Sequence, residues 1–414
     1  MVKLSFPRMG WSYISFKAML NAIPGVEVCT PPPINKKIIE LGSKNSPEFV
    51  CFPFKVTLGE FINMAQMGID TFVMAIDCGP CRFGFYAPVQ EQIMKDLGYN
   101  VTIIPIQQSD LLTWDYIDCF KKLSSVKNLK VMQYVDYIIA SKLALQKAKY
   151  IEDITQYEGL LRCREKNKGS VTKAVEYLMC ELDKTNDDAG LREFQYKIFD
   201  TFAKIPFDKE MQPLRVLIAG ENHVFLESFV NLDLVRRLGD LGIEVHLGHS
   251  LYDWMMHKLH LNFRRREKAM LAKDYIPLDI GGEAQWVIGE YIDAQNKGFD
   301  GFVHVYPFTC MPEVAARSII ESDEKFQMPV IFFSFDEHSG SEGMRTRLEA
   351  FKDLMNTRRE EKIKSKEVSE ARPLPKELLK LLENRPPMRF GDIFKPLVDV
   401  ISGAFKPANS ETKQ

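Results

Sequence analysis

Thr71-Phe-Val-Met-Ala-Ile76 is a continuous apolar run, with Gly68 shortly before it and Asp77-Cys-Gly-Pro-Cys81 directly after it. A run without polar alternation predicts a parallel strand covered on both faces. Working outward, apolar spacing predicts a helix over 57–67, closed by Gly68 in a left-handed cap. The unit repeats downstream as a helix over 89–97, Gly98, and a strand over 100–106. Upstream, 2–6 reads as a strand, 12–22 as a helix, and 25–29 as a short buried strand ended by Thr30-Pro-Pro-Pro33. Strands alternating with helices imply a parallel sheet with right-handed crossovers.

Strand patterns stop between 109 and 204. Helical spacing over 135–148, 171–182 and 191–202 predicts a helical insertion or lid, closed by Pro206 and Pro213. Alternation resumes with Leu214-Arg-Val-Leu-Ile-Ala-Gly220, a helix over 231–241, and strand Ile243-Glu-Val-His-Leu247. A helix over 284–297, strand over 301–306, helix over 313–321, strand over 329–334 and helix over 343–356 complete the pattern. From Arg358-Arg-Glu-Glu-Lys-Ile-Lys-Ser-Lys-Glu367 onward the composition reads as a charged linker and Pro-containing tail. Within it, 394–405 is apolar enough to dock on the body or on a partner. The expected fold is α/β: two Rossmann-like parallel-sheet domains with a helical insertion. Residues 1–108 form the first, with Cys51, Cys78 and Cys81; 109–212 form the insertion; 213–356 form the second, with Cys310; 357–414 form the linker and tail. No tandem repeat stands out, and the sequence leaves open whether the two α/β halves are distant copies.

The bulk numbers narrow the function. Of 414 residues, 45% are hydrophobic and 27% charged, and the formal net charge of −2 argues against nucleic acid as the main partner. No secretory leader and no run of eighteen apolar residues is read, so the expectation is a cytoplasmic protein without a spanning helix. In that reducing compartment clustered cysteines bind metal more often than they pair. Eight cysteines in this length are too few for a disulfide scaffold.

Four of them carry the chemistry. Cys51, Cys78, Cys81 and Cys310 each read as sitting just after an apolar, strand-like run, where α/β proteins present their working loops. Thiolates suit iron–sulfur clusters or zinc, and four complete one site. Cys78-Gly-Pro-Cys81 alone also fits a thioredoxin-like dithiol, but such an enzyme has no need of Cys51 and Cys310. The reading is an iron–sulfur protein, with zinc or no metal as alternatives. Cys29, Cys119, Cys163 and Cys180 read as structural, with Cys29 as the spare ligand.

Five segments together resemble the 2-hydroxyacyl-CoA dehydratase superfamily, in the branch related to acyl-CoA dehydratase activase proteins. They are Pro47-Glu-Phe-Val-Cys-Phe-Pro-Phe-Lys55, Asp77-Cys-Gly-Pro-Cys-Arg-Phe-Gly-Phe-Tyr86 and Ala219-Gly-Glu-Asn222. The others are Gly298-Phe-Asp-Gly-Phe-Val-His-Val-Tyr-Pro-Phe-Thr-Cys-Met-Pro-Glu313 and Ser339-Gly-Ser-Glu-Gly-Met-Arg-Thr-Arg-Leu-Glu-Ala-Phe351. The resemblance spans about 6–351 and implies Rossmann-like domains holding a [4Fe-4S]-type cluster where they meet. It implies three ligands per cluster, with Cys51 and Cys310 on two of those places and Cys78 or Cys81 on the third. The extra cysteine departs from that pattern: a cluster closed by four thiolates suits electron transfer, and one with an open iron suits substrate. The resemblance further implies an ATP-hydrolysing activase as electron donor, a homo- or heterodimer, and lyase or reductase chemistry on a substrate the fold does not fix. A non-catalytic electron-relay subunit and a structural zinc protein are the rival readings.

Other candidates are weaker. His246-Leu-Gly-His249 and His257-Lys-Leu-His260 lack the glutamate of a catalytic zinc helix and read as structural. Gly220-Glu-Asn222 follows a strand and is a candidate anion-binding turn, but no nucleotide-binding glycine motif exists in the chain. Arg345 and Arg347 are candidates for a CoA phosphate or an activase surface. Lys55 and Arg82 lie near the thiolates in sequence, and Asp336 and Glu337 follow the last strand as candidate acid/base groups.

Overall fold

In a computed structural model the apolar runs become, among the described residues, two parallel sheets of four strands each. The structure describes residues 2–23, 25–76, 81–107, 133–259, 261–278, 280–369 and 371–383, with the side chains of 133–138 excluded. The first half runs β1 (Val2–Ser5), α1 (Tyr13–Leu20), β2 (Val26–Val28), α2 (Lys36–Asn45), α3 (Phe52–Gln66), β3 (Thr71–Ile76), α4 (Tyr86–Asp96) and β4 (Thr102–Gln107). Its strands lie side by side as β2-β1-β3-β4. Thr71 pairs with Thr102 and Ile76 with Gln107, so the full length of the opening run is used in the sheet.

Helices α5 (Gln133–Leu161), α6 (Ser170–Lys184) and α7 (Asp188–Ala203) follow. The second half then runs β5 (Leu214–Gly220), α8 (Asn222–Leu226), α9 (Leu234–Asp240), β6 (Ile243–Leu247), α10 (Leu251–Lys258), α11 (Phe263–Ala272), α12 (Ala284–Asn296), β7 (Gly301–Pro307), α13 (Met311–Ser322), β8 (Val330–Phe335) and α14 (Ser341–Lys364). Its strand order, β6-β5-β7-β8, repeats that of the first sheet. In both sheets the winding reverses between the first and third strands, at the edge where open α/β sheets hold their ligands.

Each sheet is covered on both faces, which is why its central strands tolerate unbroken apolar runs. One face of the first sheet packs Leu4, Val73 and Ile104 against α1 and α5–α7, so the helical segment is a structural layer of that half. The opposite face packs Phe72 and Met74 against α3 and α4. The second sheet has α8, α9 and α14 on one face and α11–α13 on the other. Ile34, Ile39, Phe52 and Val56 from the first half join that second core, so the halves share an apolar interface. Gly42 and Gly59 let α2 and α3 approach backbone to backbone: a Cβ on Gly59 would collide with the Ile38 carbonyl oxygen. That contact seats the helix that follows Cys51.

Helix α14 continues beyond 357 to Lys364, and α15 (Lys376–Leu382) buries Leu378 and Leu381 in the core shared by α5 and α7. The charged stretch expected as a linker is therefore, up to Lys364, the exposed end of a long helix. Residues 384–414, with the apolar 394–405, lie outside the described residues. Among the described residues no helix is long and apolar enough to cross a membrane.

Candidate functional site

Cys51 and Cys310 come from opposite halves and meet. Each is the extended N-cap of a helix, of α3 and α13, and each helix carries proline in its first turn, Pro53 and Pro312. Proline is favoured there because the N–H it lacks has no partner in the helix anyway. The matching Cys-Phe-Pro and Cys-Met-Pro segments are thus two copies of one helix start. Cys51 Sγ lies 4.0 Å from the carbonyl oxygen of Thr309, the residue before Cys310. The two side chains are 8% and 6% exposed.

Cys81 is the extended N-cap of the 3₁₀ turn Arg82–Phe85, which runs into α4. Arg82 Nη1 donates to the Phe49 carbonyl at 2.6 Å and so ties the Cys81 loop to the Cys51 loop. Tyr86, 5% exposed, links them again: its ring meets Phe54, three residues past Cys51, and Phe83, two residues past Cys81, both edge-on. Cys78 lies outside the described residues. Among the described residues no three His, Cys, Asp or Glu side chains are gathered so as to hold a metal ion.

One expectation needs correcting. Cys310 follows β7, but Cys51 follows no strand; it comes after α2 and a turn. Phe49 has φ 60 and is 71% exposed, so the apolar Phe49-Val50 pair is a bend and not a strand end. Thr309, just before Cys310, has φ 68. Left-handed backbone at two non-glycine residues beside two cysteines is local strain of the kind that gathers at working sites.

Burial sets the electrostatics. It pushes the Cys51 thiol up, with the neighbouring Tyr86 opposing; Cys310 is driven well above the usual thiol range by burial, then by Glu313, Glu221 and Cys51. Three carboxyls stand behind them. Burial raises Glu221 and Glu283 to about 7 and Glu313 to about 8. Glu313 contacts His304 at 2.6 Å with both side chains fully buried, and burial lowers His304 to about 3. Both groups thus favour their uncharged forms, and the pair shares its proton as a neutral unit. Glu283 accepts from Asn222 at 2.7 Å and pairs with Arg265 at 2.5 Å. None of these roles was read from the sequence, because burial is a tertiary property. A Glu three residues after an N-cap was the one local signal for Glu313.

The remaining candidates have other employment. Glu221 accepts from the N–H groups of His223 and Val224, so its own carboxylate fills the turn that an anion would occupy. His246 bonds Glu244, His249 stacks on Phe225, and His257 meets the Trp286 ring edge-on; His260 lies outside the described residues. Arg347 donates to the Phe332 carbonyl, whereas Arg345 is exposed with Glu342 3.9 Å away. Lys55 pairs with Glu337 across the two halves, and Asp336 bonds Ser339 and the His338 amide. Cys163 is buried, Cys180 exposed and Cys29 half-buried beside Glu27; Cys119 lies outside the described residues.

Each of the three thiols caps a helix or 3₁₀ start without a side-chain cap hydrogen bond, and that end of a helix favours negative charge. No family model matches the chain, and no curated protein matches it.

The interface between the halves carries its own buried acid. Glu60 on α3 is fully buried; one oxygen accepts the Arg8 N–H at 3.1 Å and the other has no hydrogen-bond partner. Burial pushes it up to about 8. The folded state therefore holds this proton more tightly than the unfolded chain. Its contribution is fully present below the unfolded value of 4.5 and lost as pH rises through about 8. Urea unfolding should show stability falling between pH 5 and pH 9, by at most about 1.4 kcal/mol per pH unit from this group. Glu60→Gln should flatten that slope.

Proposed function

We propose that this chain is an iron–sulfur redox protein of the [4Fe-4S] type, working in the manner of the 2-hydroxyacyl-CoA dehydratases and reductases. The meeting of Cys51 and Cys310 across the two halves, each capping a proline-opened helix, carries this reading. Cys51, Cys78, Cys81 and Cys310 would hold the cluster, whose chemistry when bound is one-electron transfer. The chain's own part is to bring thiols from two halves together and to exclude water with Phe52, Phe54 and Tyr86. An ATP-hydrolysing activase is the proposed electron donor. The Glu221 turn supports leaving ATP to a partner, since it satisfies its own amides and offers none to phosphate.

The buried carboxyls favour an enzyme over a pure relay. Glu221, Glu283 and Glu313, raised to between about 7 and 8 beside Cys310, suit proton transfer to or from an organic substrate near neutral pH. The test is anaerobic purification, then iron and acid-labile sulfide analysis, with EPR before and after dithionite. About four irons and four sulfides per chain and a reducible signal are expected. Colourless protein with stoichiometric zinc, and no cluster after reconstitution, would overturn the redox reading in favour of a structural zinc site.

A further inference from the structure

We infer that the C-terminal segment 372–382 is a strap that locks the two halves together and so controls access to the Cys51–Cys310 junction. The strap does this whatever the thiols hold.

Among the described residues the chain passes between the halves twice. It leaves the helical layer after α7 and enters β5 at Leu214, and it returns from α14 to that layer as α15. The two passages are tied side by side. The Gln212 side chain accepts the Arg372 N–H at 2.8 Å, and its Nε2 donates to the Arg372 carbonyl at 3.4 Å. From the second half, Arg215 Nη2 donates to the Pro373 carbonyl at 2.7 Å. Arg372 in turn forks onto Asp300, with Nη1 and Nη2 at 2.6 and 2.8 Å from its two carboxylate oxygens. Paired bonds of this kind are strong and directional. Water is largely kept from them, since the two side chains are 13% and 5% exposed. Asp300 also accepts the Arg215 N–H at 2.7 Å, so the anchor lies where β5 and β7 begin.

The other end of the segment is apolar. Leu374, Leu378 and Leu381 recur at helical spacing and pack into the core of the first half, whereas Leu379 and Leu382 face outward. One end is thus held by the second half through charge, and the other by the first half through burial. Cys51 and Cys310 come from opposite halves, so their burial depends on the halves staying together. A reagent reaches such a thiol in proportion to the population of the opened state.

The experiment is timed alkylation with N-ethylmaleimide of the full chain, reduced and stripped of metal with EDTA, each cysteine being followed by peptide mass spectrometry. In the wild type, exposed Cys180 should react fast and buried Cys51 and Cys310 slowly. Arg372→Ala and Leu378→Ala should each speed Cys51 and Cys310 about tenfold, and the two changes together more, with Cys180 unchanged. Leu379→Ala, on the outward face of α15, should match the wild type. Deuterium uptake by the β3 and β7 amides should stay as in the wild type, which separates opening of the junction from unfolding of either sheet. Arg372→Lys keeps the charge and loses the fork, and should fall between wild type and Arg372→Ala. Rates at Cys51 and Cys310 that are equal in the wild type and in the double variant would overturn the strap. Faster alkylation in Arg372→Ala and Arg372→Lys with β3 and β7 also losing protection would overturn it as well, in favour of a general loss of stability. A Leu379→Ala rate as high as that of Leu378→Ala would do the same for the apolar end.

Discussion

Cys310→Ser is expected to abolish cluster binding while leaving the fold intact. The expectation follows from where the sulfur sits. Cys310 caps α13, and serine is among the best N-cap residues, so the substitution keeps a side chain that can accept from the first-turn amides. What it removes is the soft thiolate. With one thiol of the facing pair lost, iron should fall from about four per chain to less than about one after reconstitution. Cys51→Ser should behave the same way, because Cys51 caps α3 in the same extended conformation. Cys163→Ser, at a buried thiol away from the site, should keep its iron. Cys78→Ser and Cys81→Ser, made singly, divide three ligands from four: loss of iron in only one of them identifies an open iron. Thermal unfolding adds a second readout. Bound metal stabilises only the state that holds it, so reconstituted wild type should melt higher than apoprotein and Cys310→Ser should show no such difference. Retention of full iron by both Cys51→Ser and Cys310→Ser would remove the basis of the proposed function.

Where the sequence was legible, the reason is the parallel sheet. Strands covered on both faces need no polar alternation, so Thr71–Ile76 and, apart from Arg215, Leu214–Gly220 stand out as apolar runs at their true lengths. Helix starts were less legible. Helix α3 begins at Phe52, five residues before the reading from apolar spacing, because Phe-Pro-Phe looks like a loop until proline is counted as a first-turn residue. Helices α10 and α11 were missed, the latter reading as Phe263-Arg-Arg-Arg-Glu-Lys268, where charge masks the buried Arg265 and Lys268. The cysteines announced themselves by type. Their surroundings did not, since Tyr86, Glu283 and His304 become special only through burial.

The repeated strand order gives the site a further logic. Cys51 caps the helix that precedes β3, and Glu283 stands at the N-cap of α12, the helix that precedes β7. Cys81 lies in the loop after β3, and Cys310 in the loop after β7. Topologically equivalent places thus carry two cysteines in the first half, and a glutamate and a cysteine in the second. Sulfur is concentrated on one side of the junction and carboxyl groups on the other.

Arg164→Met should be the most destabilising single change away from the cysteines, at about 3–5 kcal/mol. Arg164 lies in the turn after α5, and its Nη2 is 2.5 Å from Glu244 on β6, with side chains 2% and 0% exposed. Arg215 and His246 also reach Glu244, at 3.1 and 2.6 Å, from the second half itself. Burial pushes the Glu244 carboxyl up, but the His246 hydrogen bond and the Arg164, His246 and Arg215 charges together hold it below the ordinary range. A depressed carboxylate contributes stability above its unfolded value of 4.5, lost as pH falls through the lower folded value. Removing Arg164 leaves a charge buried with partners on one side only, so the acid-side loss should shrink as overall stability falls. Arg164→Met combined with Glu244→Gln should recover much of the loss, because the cost lies in the unpaired charge more than in the missing attraction. Urea unfolding of the four proteins at pH 7 and pH 4 measures this coupling. Additive losses would mean that the Arg164 side chain acts through its other contacts, the Leu160 carbonyl and the Cys163 sulfur, and not through the ion pair. The pair pins the helical layer of the first sheet to the edge strand of the second.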